Sequence, residues 1–159
     1  MPAVSHLLHI AIKTNHLEET ISFYCNVLGF EQVERPKFKH EGAWLACGGL
    51  EPSIHLYKAG PHVGDGGRAP EGTSAIDHVS IQASGFQDFI ARFKKFSLDW
   101  REFNVPGFPL WQLFVFDPNG VQIELTFDAS VEEGPEPDMS DERRYKAGEY
   151  FFKPLAIVA

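Results

Sequence analysis

Cysteine is scarce: the chain has only Cys25 and Cys47. Two are too few for a stapled secreted scaffold, and they do not form a CxxC pair, so a reducing cytoplasm is the expected compartment. Basic charge is also short, with 14 Lys and Arg against 22 Asp and Glu and a net charge of −8. Such a chain gains nothing from phosphate backbones, so nucleic acid is excluded as an expected partner. No apolar run approaches the roughly 18 residues of a membrane span. The first residues, MPAVSHLLHIAIKTNHLEE, have no basic segment ahead of a long apolar core, so no secretory signal is expected.

Apolar residues make up 43% of the chain, and 14 Phe and three Trp give an interior its bulk. A repeat organises that material. Placing His9 over His78 sets an offset of 69, which lays LLHIAI (7–12) over IDHVSI (76–81). The same offset lays Asn15 over Ser84, and His55 over Glu124 within PSIHLY (52–57) and VQIELT (121–126). Agreement of several landmarks without a gap points to duplication.

Residues 6–13 alternate, with Leu8, Ile10 and Ile12 on one face and His9, Ala11 and Lys13 on the other, as a strand requires. Asn15 with Glu18 resembles a capping box; Leu17, Ile21, Tyr24 and Leu28 fall at helical spacing, and Gly29 suits a C-cap. Strands are predicted near 30–35, 42–48 and 52–58. The Gly- and Pro-rich segment 59–74 reads as a linker. The order then repeats: a strand at 76–82, a capping pattern at Ser84 and Gln87, and a helix stripe of Phe86, Phe89, Ile90, Phe93 and Phe96. Strands near 99–103, 110–117 and 121–127 follow, with Asp117-Pro-Asn-Gly120 as a turn. The expected domain covers 1–128, with module one at 6–58 and module two at 75–128. Residues 129–159 form an acidic C-terminal tail with an apolar end, YFFKPLAIV (150–158), expected to dock on its own domain or on a partner subunit.

The two strand faces differ in kind. Leu8, Ile10, Ile12, Ile54, Leu56, Val79, Ile81, Ile123, Leu125 and Phe127 should pack on the helices. The opposite face carries His9, His55, His78 and Glu124 at equivalent places on four strands, where a merely solvated face would use Lys, Thr, Glu and Arg. Two neutral imidazoles and a carboxylate suit a divalent first-row ion, and three protein ligands leave coordination positions open. Burying Glu124 as an anion is costly without a cation beside it. His9, His78 and Glu124 are therefore the expected ligands; His55 is either a fourth ligand or an acid/base group. Lys13, Trp44, Tyr57 and Trp111 are candidates for a substrate pocket.

The segments HIAIKTNHLEETISFYCNVLGFEQV (9–33), DHVSIQ (77–82) and DPNGVQIELTF (117–127) resemble the vicinal-oxygen-chelate superfamily, also called the glyoxalase/bleomycin-resistance/dioxygenase group. The resemblance covers residues 6–127. It implies an α+β fold in which two βαβββ modules form a curled, mostly antiparallel sheet with a concave metal-binding cleft. It further implies that His9, His78 and Glu124 match the family's metal ligands. His55 stands where glyoxalase I and similar isomerases place a Glu and the epimerase a Gln, a departure that argues against a simple glyoxalase I. Extradiol dioxygenases keep a two-histidine, one-carboxylate set with an acid/base histidine on the corresponding strand. The leading expectation is thus an extradiol-type oxygenase acting on a catechol-like substrate with Fe(II) or Mn(II). The alternatives are a glyoxalase-like isomerase, epimerase or lyase using Zn, Ni or Co, and a metal-free drug-binding protein. No basic cluster for a thiol-cofactor anion stands out, since Lys13, Arg68 and Arg101 are scattered. Small family members imply a homodimer acting on a small-molecule substrate.

Overall fold

The computed structural model describes residues 1, 4, 6–49, 51–60 and 65–153. The chain divides into two compact units, Met1–Pro70 and Glu71–Ala159, and the C-terminal segment belongs to the second. Each unit has the order β-α-β-β-β. In the first, β1 (Ile10–Thr14) leads to α1 (Leu17–Ser22), a π-helical turn (Phe23–Val27), β2 (Glu31–Val33), β3 (Gly42–Ala46) and β4 (Pro52–Lys58). In the second, β5 (Val79–Gln82) leads to α2 (Phe86–Lys95), β6 (Trp100–Asn104), β7 (Leu110–Phe116) and β8 (Gln122–Asp128). The result is two four-stranded mixed sheets, ordered β1-β4-β3-β2 and β5-β8-β7-β6.

The ladder registers repeat as the residues do. β1 pairs parallel with β4 so that Ala11 lies opposite His55, and β5 pairs parallel with β8 so that Ser80 lies opposite Glu124. These partners are displaced by the offset found in the sequence (80 − 11 = 124 − 55 = 69). Because side chains alternate with period two, a one-residue slip in either half would have turned its polar set to the opposite face.

The apolar faces behave as expected in the inner strands. Ile54, Leu56, Ile123, Leu125 and Phe127 are buried, as are Tyr24, Leu45, Phe86 and Phe93. Phe127 receives the edges of Phe86 and Phe89 from α2. The outer strands begin later than alternation suggests. β1 starts at Ile10 and β5 at Val79, so Leu8 is exposed rather than packed. The first helix is short, and its π-helical turn has Leu28 N–H donating to the Phe23 carbonyl. Gly29 then takes φ +81, and Phe30 N–H reaches back to the Tyr24 carbonyl, so the glycine ends the helix as predicted.

Neither capping pattern forms. α1 is preceded by His16 without a side-chain cap, and the Asn15 amide instead grips Ala69 twice, donating to its carbonyl (3.0 Å) and accepting its N–H (2.9 Å). One end of the predicted linker is thereby tied into the first unit; its residues 61–64 lie outside those described. At α2 the N-cap is Gly85, and the free N–H groups of Gly85 and Phe86 donate to the Glu132 carboxylate at 2.7–3.1 Å. An anion there satisfies orphan donors and complements the helix dipole. Glu132→Ala is expected to lower stability by about 1–2 kcal/mol, the usual worth of a lost cap, measured by urea denaturation with α2 helicity followed by circular dichroism.

The acidic segment does run over the surface, but it is fastened there. Glu102 N–H donates to the Arg143 carbonyl and Tyr145 N–H to the Glu102 carbonyl, each at 2.9 Å, covering the free edge of β6. The buried Glu102 carboxylate accepts Trp100 Nε1–H (3.0 Å) and Asp138 N–H (2.8 Å). Lys153 pairs with Asp99 at 2.9 Å, and Phe151 is buried against Phe116. The described part of the apolar end therefore docks on its own unit; residues 154–159 lie outside those described. Among the described residues no helix is long and apolar enough to cross a membrane.

Candidate metal centre

In the first unit His9, immediately ahead of β1, stacks on His55 of β4 with ring centroids 3.8 Å apart and planes inclined by 18°. Trp44, opposite His55 in the β3–β4 ladder, stacks on it at 4.4 Å. His55 is thus held in a three-ring pile. It is buried, and its Nε2 has no hydrogen-bond partner among the described residues. Burial, reinforced by nearby His9 and Arg35, holds its pKa below the usual histidine value. The neutral imidazole so favoured is the form that can take a proton or bind a metal. Tyr57 lies on the same strand face two residues along, edge-on to His40, and Lys13 is its exposed ladder partner.

In the second unit His78, immediately ahead of β5, faces Glu124 of β8, with Nε2 3.2 Å from Oε2. Glu124 is buried, and its other oxygen, Oε1, accepts both the Ser80 hydroxyl (2.6 Å) and the Thr126 hydroxyl (2.7 Å). His78 Nδ1 lies 2.7 Å from the Asp77 carboxylate. With Nδ1–H donating to Asp77, Nε2 turns its lone pair toward Glu124 Oε2. Two acceptors at that separation repel unless a cation or proton lies between them, so this pair fits a divalent ion. The Asp77–His78 contact is the arrangement that usually orients a metal-binding imidazole.

Among the described residues no three His, Cys, Asp or Glu side chains gather into one metal-binding group. The donors come as one pair per unit: His9 with His55, and His78 with Glu124. Of the pocket candidates, Trp44, Tyr57 and Lys13 share the His55 face. Trp111 does not lie on the matching face of its unit. It lies opposite Phe127 in the ladder, is buried, and packs on Phe86 of α2, so it is a core residue. β7 shows why: Trp111 shares parity with Leu113 and Val115, which are also buried, whereas Phe114 lies opposite Glu124.

Two groups beside Glu124 and His78 were not marked out by the sequence. Asp77 could have been suspected from its place next to a candidate ligand. Tyr145 could not, since it comes from the acidic segment. Its ring stacks on Phe114 at 3.6 Å and 9°, and its hydroxyl accepts Gln122 Nε2–H at 3.4 Å. Burial, then the Asp77 and Glu124 carboxylates, raises its phenol above the ordinary tyrosine value.

Residues 6–125 match the family model for the Glyoxalase/Bleomycin resistance protein/Dioxygenase superfamily. The chain belongs to this superfamily. Its members are mostly enzymes and commonly use a divalent metal. The chain is 29% identical over 128 residues to Glyoxylase I 4 of Arabidopsis thaliana, covering 77% of this chain and 70% of that protein. Its fold matches a glyoxylase/bleomycin resistance protein/dioxygenase domain from a Frankia species, with TM-score 0.63 and 21% identity over 79% of this chain and 99% of the other. It also matches lactoylglutathione lyase from Agrobacterium tumefaciens, with TM-score 0.59 and 17% identity over 82% and 98% of the two chains. A third match is a fosfomycin resistance protein from Listeria monocytogenes, with TM-score 0.61 and 17% identity over 79% and 94%. The superfamily match ends at Leu125, so the segment carrying Tyr145 lies beyond the superfamily domain.

Proposed function

We propose that this superfamily member is a metal-dependent lyase or isomerase of the glyoxalase kind, in which His9 from one subunit of a homodimer joins His78 and Glu124 from the other to hold one divalent ion and His55 moves a proton next to a substrate carbonyl. The observation that carries the reading is the His55 imidazole, which is buried, kept neutral and unpartnered at Nε2. Histidine replaces the carboxylate expected at that place in glyoxalase I. A neutral imidazole serves the same proton-moving task near neutral pH. A bound divalent ion supplies Lewis-acid polarisation of substrate oxygens. Within the chain, the Trp44 stack fixes the plane of His55, and the Ser80 and Thr126 hydroxyls fix one oxygen of Glu124. The similarity to Glyoxylase I 4 supports this chemistry over others in the superfamily. We further propose that the substrate is a small molecule and that the protein acts in the cytoplasm as a homodimer.

A ring-cleaving oxygenase is the second reading, favoured by the two-histidine, one-carboxylate donor set with a neutral histidine nearby. In it Fe(II) or Mn(II) is the ion; in the first reading Zn, Ni or Co serves. The discriminating experiment offers the metal-loaded protein a panel of hemithioacetals and catechols while dissolved oxygen is recorded. Isomerisation without oxygen consumption is expected. Oxygen uptake with ring opening would establish the second reading instead.

His55→Gln tests the assignment of roles. The variant is expected to retain its metal within a few-fold of wild type while turnover falls by about 10²–10⁴, the usual worth of a general acid/base. Metal content by elemental analysis, beside the rate, checks this. Loss of the ion together with activity would make His55 a ligand and remove it from the proton-moving role.

A further inference from the structure

Five buried side-chain atoms lack a hydrogen-bond partner among the described residues: Arg35 Nε, His40 Nε2, Trp44 Nε1, Ser53 Oγ and His55 Nε2. Buried polar groups are ordinarily satisfied, because leaving one unpaired costs its full desolvation. All five atoms belong to the first unit. Ring contacts join four of their residues around His55. Trp44 stacks on His55 at 4.4 Å, and Phe38 lies 6.2 Å from Trp44 and 5.5 Å from His40. The Arg35 guanidinium carbon sits 4.7 Å from the centre of the Phe38 ring.

The backbone fixes Arg35 on the same side of the sheet. Its Nη2–H donates to the His40 carbonyl at 3.0 Å, and Nη2 lies 3.5 Å from where a Cβ on Gly42 would stand. Gly42 pairs with Tyr57 in the ladder that pairs Trp44 with His55, two residues along. Arg35, Phe38 and His40 also line an open groove of about 480 Å³. Phe38 is 47% exposed, so its ring can turn into the groove and uncover the guanidinium without opening the core. The groove's carboxylates are Glu18 and Glu41, the second held by Lys58 at 2.8 Å. Lys13, a second cation on the His55 face, is exposed, so water already serves its ammonium. Arg35 Nε–H, by contrast, is a charged donor with nothing to donate to. The flat rings beside it suit a planar carboxylate better than a tetrahedral phosphate.

We propose that Arg35 is the specificity-determining residue of the His55 site, pairing through Nε–H with a carboxylate on the substrate whose carbonyl His55 serves. This role rests on the reading of His55 as the proton-moving group. It narrows the substrate class to small carboxylates that also carry a carbonyl group.

The test titrates the metal-free full-length protein with pyruvate, with its neutral amide and with inorganic phosphate. NMR follows the indole N–H signals of the three tryptophans, with Trp44→Phe assigning that of Trp44. Pyruvate is expected to shift the Trp44 signal and to bind about 10–100-fold more tightly than the amide, the worth of hydrogen bonds to a charged group. Arg35→Gln should lose that same factor for pyruvate and leave the weak binding of the amide as it is. Arg35→Lys keeps the charge without the planar fork and should lose a smaller part of it. A purely structural Arg35 would weaken pyruvate and amide alike, and that result overturns the proposal. So does pyruvate bound no better than the amide, phosphate bound more tightly than pyruvate, or a larger loss in Lys13→Gln than in Arg35→Gln. If Arg35→Gln does not fold, Arg35→Lys and the wild-type preference for pyruvate over the amide decide the matter. No turnover or metal enters this titration. Turnover that survives in His55→Gln would therefore overturn the proton-moving reading and leave the carboxylate pairing at Arg35 to stand or fall by itself.

Discussion

Glu124→Gln is expected to reduce divalent-metal affinity by at least about a hundredfold, beyond the range for partners that merely orient a ligand, and to leave the fold in place. Both halves of that expectation come from the same contacts. Glu124 Oε1 accepts two hydroxyls, from Ser80 and Thr126, and the oxygen of a glutamine amide can accept the same two. The shape of the buried side chain is kept, and β8 should pair as before. What changes is the other side, where Oε2 faces His78 Nε2 at 3.2 Å. An amide –NH2 there donates to His78 Nε2, closing the pair without an ion and blocking both donors. Calorimetric titration with Zn(II), beside a thermal melt, reads both quantities. Zinc binding equal to wild type would remove Glu124 from the ligand set. A collapsed melt would mean that the carboxylate has a structural task the hydrogen bonds do not reveal.

Phe86→Ala should have the largest effect on stability. Phe86 is fully buried and meets the edges of Trp111 and Phe127, so it joins α2 to both central strands of the second sheet. Truncating such a side chain removes transfer energy and leaves a cavity that rigid strands cannot fill, a loss of about 3–5 kcal/mol. That is a large share of an ordinary folding free energy, and a fall in melting temperature on the order of 10 °C follows. Phe108, 66% exposed, is the control: Phe108→Ala should change stability by no more than about 0.5 kcal/mol. Equal effects from the two substitutions would mean that the α2 face is not the core of this unit.

The architecture was legible because duplication leaves a register as well as a composition. Ala11 opposite His55 and Ser80 opposite Glu124 reproduce in hydrogen bonds the offset visible in the residues. The matching places of His55 and Glu124 were legible for the same reason, since a shared register puts them at one place in two like sheets; that the donors come as His9 with His55 and His78 with Glu124 was not. Strand starts were not. Leu8 continues the alternation of β1 yet is exposed, because periodicity records which residues could share a face and not where pairing begins.

The caps failed for a different reason. Asn15 and Ser84 stand at the right distance from Glu18 and Gln87, but a distant group competes at each place. Ala69 takes the Asn15 side chain and Glu132 takes the α2 N-terminus. Trp111 was misplaced because Phe114 and Phe116 make β7 apolar on both faces, which hides the parity that marks Leu113 and Val115 as core. Tyr145 was invisible from sequence because a long-range stack on Phe114 leaves no local pattern.

The central proposal is that His9 of one subunit and His78 with Glu124 of the other share one divalent ion. Anomalous diffraction from crystals of the metal-loaded protein, collected on both sides of the absorption edge of that metal, tests it most directly. The expected result is a single strong peak bonded to one nitrogen of His9, to His78 Nε2 and to Glu124 Oε2. A peak elsewhere, or no peak near Glu124 in protein saturated with metal, would contradict it.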